Sequence, residues 1–210
     1  MVTTDLLMEG IHFNLEYVPL KHLGYKAAVV NISDICAMNG RPTQMLVSLG
    51  ISKRFSVENI EELYSGIRAA CEHYGVDIVG GDTTSSYTGL AISITCIGDA
   101  REEDIVYRNG AHDTDLICVS GDLGAAYMGL QLLEREKSVY YSQVEELQKK
   151  IKAAEDAGDA AKTATLRTQL TTIGQPDFSG KEYLLQRQLQ TEARGDIVKK
   201  LREAGIRPTA

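Results

Sequence analysis

"NISDICAMNGRPTQMLVSLGI", residues 31–51, ends a helix and begins a strand within one stretch of chain. The helical run extends from about Leu23 to Asn39. Gly40 stands where a left-handed residue closes a helix, and Pro42 follows just beyond. "TQMLVSLGI" (43–51) then reads as a strand. Within the helix, Asn31 and Asp34 are three residues apart and share a face.

The same alternation continues outward. Ser56 is placed to cap a helix whose apolar stripe is Val57, Ile60, Leu63, Ile67, Ala70, Cys71 and Tyr74. "VDIVGG" (76–81) reads as a short apolar strand, "LAISITCIG" (90–98) alternates with period two, and "TDLICVSG" (114–121) reads as a further strand. Residues 1–13 open directly in strand-like sequence. Strands mixed with helices define an α/β or α+β unit.

A helix is expected from Leu123 to Lys137, after which residues 139–172 become rich in Lys, Glu, Gln, Ala and Thr. That stretch reads as an insertion: two helices hinged near Gly158, or a partly disordered loop. A last helix spans about Thr191 to Ala204 and ends at Gly205. The domain expectation is therefore 1–110 and 111–210, with 139–175 as a helical-hairpin insertion.

The chain has 210 residues, 43% of them apolar, and a formal net charge of −7. This balance, without any Lys/Arg run, disfavours nucleic acid as a partner. No stretch has the length and apolarity of a membrane span, and the expected location is the cytoplasm. Cys36, Cys71, Cys96 and Cys118 are far apart, with no C-x-x-C pair, and are read as reduced core residues. "GQPDFSGKE" (174–182) has five residues between its glycines and Glu182 in place of a Ser or Thr, so it is not a P-loop.

Three acids recur in similar settings: Asp5 after Thr3 and Thr4, Asp34 within "NISDICAMNG", and Asp82 within "GGDTT". Mg²⁺ takes hard oxygen ligands, so carboxylates converging from separate elements suit it, together with substrate phosphates. Gly80 and Gly81 allow backbone amides to approach an anion, and Thr83 and Thr84 add hydroxyls. Each acid taken alone is equally well read as a turn former or cap. His12, Tyr64 and Arg108 are further candidates, with a surface or packing histidine, a half-buried aromatic and a surface ion pair as their ordinary roles.

"TTDLLMEGIHF" (3–13), "NISDICAMNGRPTQMLVSLG" (31–50), "GGDTT" (80–84) and "YRNGAHDTDLICVSGDLGAAYMGL" (107–130), in that order, resemble the thiamine-monophosphate kinase family. That family shares an ATP-binding superfamily with aminoimidazole ribonucleotide synthetase. "EGIHF" is similar to the kinase branch in particular. The resemblance implies Mg²⁺ binding at Thr3, Thr4, Asp5, Asp34 and Asp82, ATP contacts at Tyr64, Gly81, Asp82 and Arg108, and an acceptor contact at His12. It also implies transfer of a phosphoryl group from ATP to thiamine phosphate, and an α+β fold in which an N-terminal mixed sheet with packed helices forms a homodimer and is followed by the start of a second α/β domain. The family's Gly-Asp-Asp-type and Ser-Asp-Gly-type motifs are expected outside residues 1–210, so the chain reads as part of that family's length.

Overall fold

The computed structural model describes residues 1–173, 178–206 and 208. The chain divides into two compact units, Met1–Ser120 with Leu189–Ala210 and Gly121–Gln188, where the sequence reading sets one boundary at residue 110. The stretch "GQPDFSGKE" begins on four residues outside the described set, and residues 207, 209 and 210 also lie outside it.

The first unit contains β1 (Val2–Met8), α1 (Leu20–Ala37), β2 (Arg41–Ile51), α2 (Val57–Tyr74), β3 (Asp77–Ser85) and β4 (Leu90–Asp99), followed later by α6 (Asp196–Glu203). The four strands form one mixed sheet in the order β1-β4-β2-β3. β4 pairs antiparallel with both β1 and β2, while β2 and β3 are parallel and joined by α2 as a crossover. Period-two sequence buries one side of this sheet: in β4 every second residue from Leu90 to Gly98 is buried. Met45, Val47, Ile92 and Ile94 pack in one core with Leu23, Ile32, Leu63 and Ile67 of the two helices. The opposite side of the sheet is open.

α1 starts at Leu20, three residues earlier than expected, because Pro19 takes the extended conformation of an N-cap and its carbonyl accepts the Leu23 amide at 3.0 Å. At the other end the left-handed residue is Asn39 (φ +59°), not Gly40. Asn39 tolerates that geometry, and its Nδ2 donates to the Asp104 carbonyl at 3.0 Å. Gly40 serves packing instead, since a Cβ there would crowd Met1 Sδ and Ile35 Cγ2. Pro42 lies inside β2, opposite Gly98.

α2 forms as expected from Ser56, which completes a capping box: its Oγ accepts the Asn59 amide at 3.4 Å while its own amide donates to Asn59 Oδ1 at 3.1 Å. Leu63, Ile67, Ala70 and Cys71 are buried, but Val57 in the first turn is 71% exposed. The two helices cross at glycines. A Cβ at Gly24 would overlap the Leu63 carbonyl, and one at Gly66 would overlap that of Lys21.

Three expectations need correction. "VDIVGG" is not a short strand ending at Gly81: β3 is an exposed edge strand that runs on to Ser85, with a bulge at Val79 between the Met45–Ile78 and Leu46–Gly80 pairs. Residues 114–121 form no strand, and Leu116 and Ile117 stay exposed. Among the described residues no neighbouring strand takes up their backbone groups, and an apolar run without a ladder partner does not hold as a strand. Cys118 accordingly is exposed, while Cys36, Cys71 and Cys96 are buried free thiols.

In the second unit, α3 (Ala125–Asp156) continues without a break through the expected stop at Lys137. Ion pairs one turn apart, Glu145–Lys149 and Glu146–Lys150, support its polar half. Gly158 (φ +72°) turns the chain, and Asp159 Oδ1 caps α4 (Ala160–Thr171) by accepting the Lys162 amide at 3.0 Å. Ala154 and Leu166 are buried and Arg167 pairs with Glu155 at 2.7 Å, so α3 and α4 pack as a helix pair. α5 (Glu182–Leu189) was not anticipated from sequence; the Leu184 carbonyl lies against Gly129 of α3. In the first unit, the expected helix at 191–204 narrows to α6, tied back by Arg202 to Asp104 at 2.7 Å, while Tyr74 accepts the Ala193 amide at 2.9 Å. No helix among the described residues is long and apolar enough to cross a membrane.

Candidate functional site

Strand parity and register decide which candidate side chains meet. Along β1, Thr3, Asp5 and Leu7 share the side that faces α1, whereas Val2, Thr4, Leu6 and Met8 lie on the open side. Asp34 on α1 accepts a hydrogen bond from Thr3 Oγ1 at 2.9 Å. Thr3 and Asp34 line a cavity of about 160 Å³, and Arg108 lies on its wall with Met1, Val2 and Met38. Residues separated by 31 and 74 positions in the chain thus meet at the start of β1. Asp5 is two residues along the same side of the strand, half-buried.

The remaining candidates lie elsewhere. Thr4 is on the open side, its hydroxyl donating to the Ile94 carbonyl at 3.1 Å and accepting from Thr95 Oγ1 at 3.0 Å. Asp82 pairs in register with Ser48, whose partner on β4 is Ser93, which in turn faces Leu6. It therefore shares the open face with Leu6, while Asp5 is on the helix-covered face and at the opposite edge of the sheet. Three strand spacings separate the two edges, about 14 Å. The expected convergence of Asp5, Asp34 and Asp82 does not occur within this chain, and among the described residues no three His, Cys, Asp or Glu side chains form a cluster able to hold a metal. Asp82 Oδ1 accepts the Thr83 amide at 2.8 Å. Gly81 (φ +153°) has a structural duty: a Cβ there would overlap the Val47 backbone. Tyr64 is half-buried against the core on α2. Asn31 is fully buried, with Nδ2 donating to the Ala27 carbonyl at 3.2 Å, so it does not act alongside exposed Asp34.

His12 belongs to a second cluster, at the far end of β1. Five strand steps of about 3.3 Å lead from Thr3 to Met8, about 17 Å. The His12 side chain is exposed, and its Nδ1 accepts the Met8 amide at 3.0 Å. The neutral ring then carries its proton on Nε2. Beside it are two residues that sequence reasoning did not select for a site role. Glu9 Oε2 accepts the Leu90 amide at 2.9 Å, and Glu9 Oε1 is paired with Arg54. Arg54 also stacks over Phe55, 4.7 Å from the ring centre. No spacing signal marks Arg54, because its partner is 45 residues away and is found only by sheet register.

Comparison with known proteins places these clusters in a family context. The AIR synthase related protein, N-terminal domain family matches residues 1–100. The thiamine-monophosphate kinase of Bacillus subtilis (strain 168) is 37% identical over 145 residues, which is 69% of this chain and 45% of that protein. That of Aquifex aeolicus (strain VF5) is 40% identical over 140 residues, 67% of this chain and 44% of that protein. Among solved structures, AaThiL complexed with AMPPCP and TMP superposes with a TM-score of 0.69 at 31% identity, covering 95% of this chain and 52% of that one. The chain spans less than half the length of the two curated relatives.

Proposed function

Because the chain belongs to the thiamine-monophosphate kinase family of AIR synthase related proteins, we propose that it carries part of a site that transfers a phosphoryl group from ATP to thiamine phosphate, giving ADP and thiamine diphosphate. The observation that carries this reading is the meeting of Thr3, Asp34 and Arg108 on one small cavity, the first two within the stretch that the AIR synthase related family matches.

The donor set suits Mg²⁺. Thr3 and Asp34 offer adjacent hard oxygens, with Asp5 following on the same side of β1, and Mg²⁺ is usually held by one or two carboxylates plus phosphate oxygens and waters. Thr4 and Asp82 lie on the other face and are left out of the set. Bound there, the ion supplies charge neutralisation on the phosphate oxygens. Arg108 offers a planar fork of donors to a phosphate. At the other cluster, His12 presents Nε2–H to the acceptor. Two clusters about 17 Å apart along one strand suit two substrates, one at each, better than a single small ligand. Phosphoryl transfer asks mainly for alignment and charge compensation, so no nucleophilic side chain is needed. A second copy of the chain is the proposed partner, covering the open sheet face that exposes Val2, Leu6 and Met8. The cytoplasm is the proposed location.

The test is thiamine diphosphate formation from thiamine phosphate and Mg–ATP, with calorimetric titration of each ligand and the Aquifex aeolicus relative as positive control. Magnesium-dependent ATP binding and binding of thiamine phosphate are expected. Absence of both, by folded protein under conditions where the relative turns over, sinks the reading.

A further inference from the structure

We propose that Glu9, held by Arg54, is the positioning residue that orients His12. The turn bearing His12 is short. Gly10 (φ +79°) reverses the chain, the Ile11 and His12 amides donate to the Met8 carbonyl at 3.1 and 2.9 Å, and the Gly10 amide donates to the Phe13 carbonyl at 2.9 Å. Phe13 anchors one side of the turn in the core. Glu9 anchors the other. Its amide donates to the Leu90 carbonyl at 3.0 Å and its carboxylate accepts the Leu90 amide at 2.9 Å, so it grips the same residue twice. The second carboxylate oxygen pairs with Arg54 of the β2–α2 loop, and Gly89 leaves room for the carboxylate where a Cβ would strike it. One side chain thus ties together three loops.

The Glu9 side chain is 18% exposed, against 54% for Arg54. Covering the carboxylate costs solvation that pairing with a half-exposed guanidinium returns only in part, so the pair contributes little to stability. What it fixes is geometry. The fixed element is the turn from which His12 accepts the Met8 amide at Nδ1 and points Nε2–H away from the backbone. The assignment rests on the proposed role of His12 as acceptor contact.

The test uses the 210-residue chain and three variants, Glu9→Gln, Arg54→Met and Arg54→Lys. Nitrogen–proton NMR reads the His12 tautomer, and calorimetry reads thiamine phosphate and Mg–ATP binding. Wild type is expected as the single Nε2–H tautomer. Glu9→Gln and Arg54→Met are expected to mix the tautomers and weaken thiamine phosphate about tenfold, the effect of one ordinary hydrogen bond, with Mg–ATP affinity unchanged. Arg54→Lys restores most of the loss. An unchanged tautomer in a folded Glu9→Gln or Arg54→Met protein overturns the positioning role, as does parallel weakening of both ligands. A wild type that holds the tautomer but binds no thiamine phosphate overturns the acceptor role while the variants' mixed tautomers still support the positioning. Arg54 is surface-accessible, so its variants keep the test open if Glu9→Gln does not fold.

Discussion

Gly80 and Gly81 are adjacent in sequence and unequal in the fold. A Cβ on Gly80 would meet Leu46 Cδ2 at 3.4 Å, ordinary contact, whereas one on Gly81 would overlap the Val47 backbone at a φ that L residues avoid. Gly81→Ala is therefore expected to lower stability by roughly 2–4 kcal/mol in urea titration, and Gly80→Ala by about 1 kcal/mol or less. Equal effects would show that the strand, rather than the β2 contact, sets the requirement. Asp34 poses the opposite case. It is exposed, and Thr3 is its hydrogen-bond donor. Asp34→Asn keeps an acceptor for Thr3 but removes the charge. The melting temperature should stay within about a degree, since surface changes of this kind are worth about 0.5 kcal/mol or less, while magnesium-dependent ATP binding falls about tenfold or more. The paired glycines and the acid were legible in the sequence as unusual. Their separate duties were not, because register distinguishes them.

Where the two helices cross, at Gly24 and Gly66, backbone approaches backbone. Gly66→Ala would drive a methyl into the Lys21 carbonyl, and a loss of about 3 kcal/mol or more is expected in thermal or chemical unfolding. Beneath the helices, burial pushes the Cys71 and Cys96 thiols each up to about 11 from 9.0, with Asp77 and Glu72 adding to the first and the neighbouring thiols to the second. A raised thiol favours the protonated form in the fold. Its contribution is fully present below pH 9 and is lost as pH rises towards 11, because the unfolded chain gives up its protons first. The melting temperature should fall across that window, and less steeply in Cys71→Ala; a flat profile would contradict the burial. The cap at Ser56 and the period of α2 and β4 were readable locally, since capping boxes and alternation act over a few residues. The lengths of α1, β3 and α3 were not, because tertiary partners decide where a ladder or helix stops.

One side of the sheet carries the core and the other carries Val2, Leu6 and Met8 exposed. If a second copy covers that face, sedimentation should show a dimer that dissociates on dilution, and Leu6→Asp should shift it towards monomer by placing an unpaired charge at the contact. A wild type that remains monomeric at the highest soluble concentration would count against the second copy. Glu9 and Arg54 show the same dependence on the whole fold: they are 45 positions apart and meet only because β1 and β2, both antiparallel to β4, finish at the same end of one sheet.

By itself the sequence determined a mixture of strands and helices, the capped α2, the alternating β4 and the motifs that resemble one kinase family, because each rests on local propensity or on residues adjacent in the chain. Only the tertiary structure decided that Thr3, Asp34 and Arg108 share a cavity while Asp82 lies on the other face and edge. The reason is physical: side-chain direction in a sheet alternates with every residue, so strand order and register, which no local pattern encodes, choose which carboxylates meet.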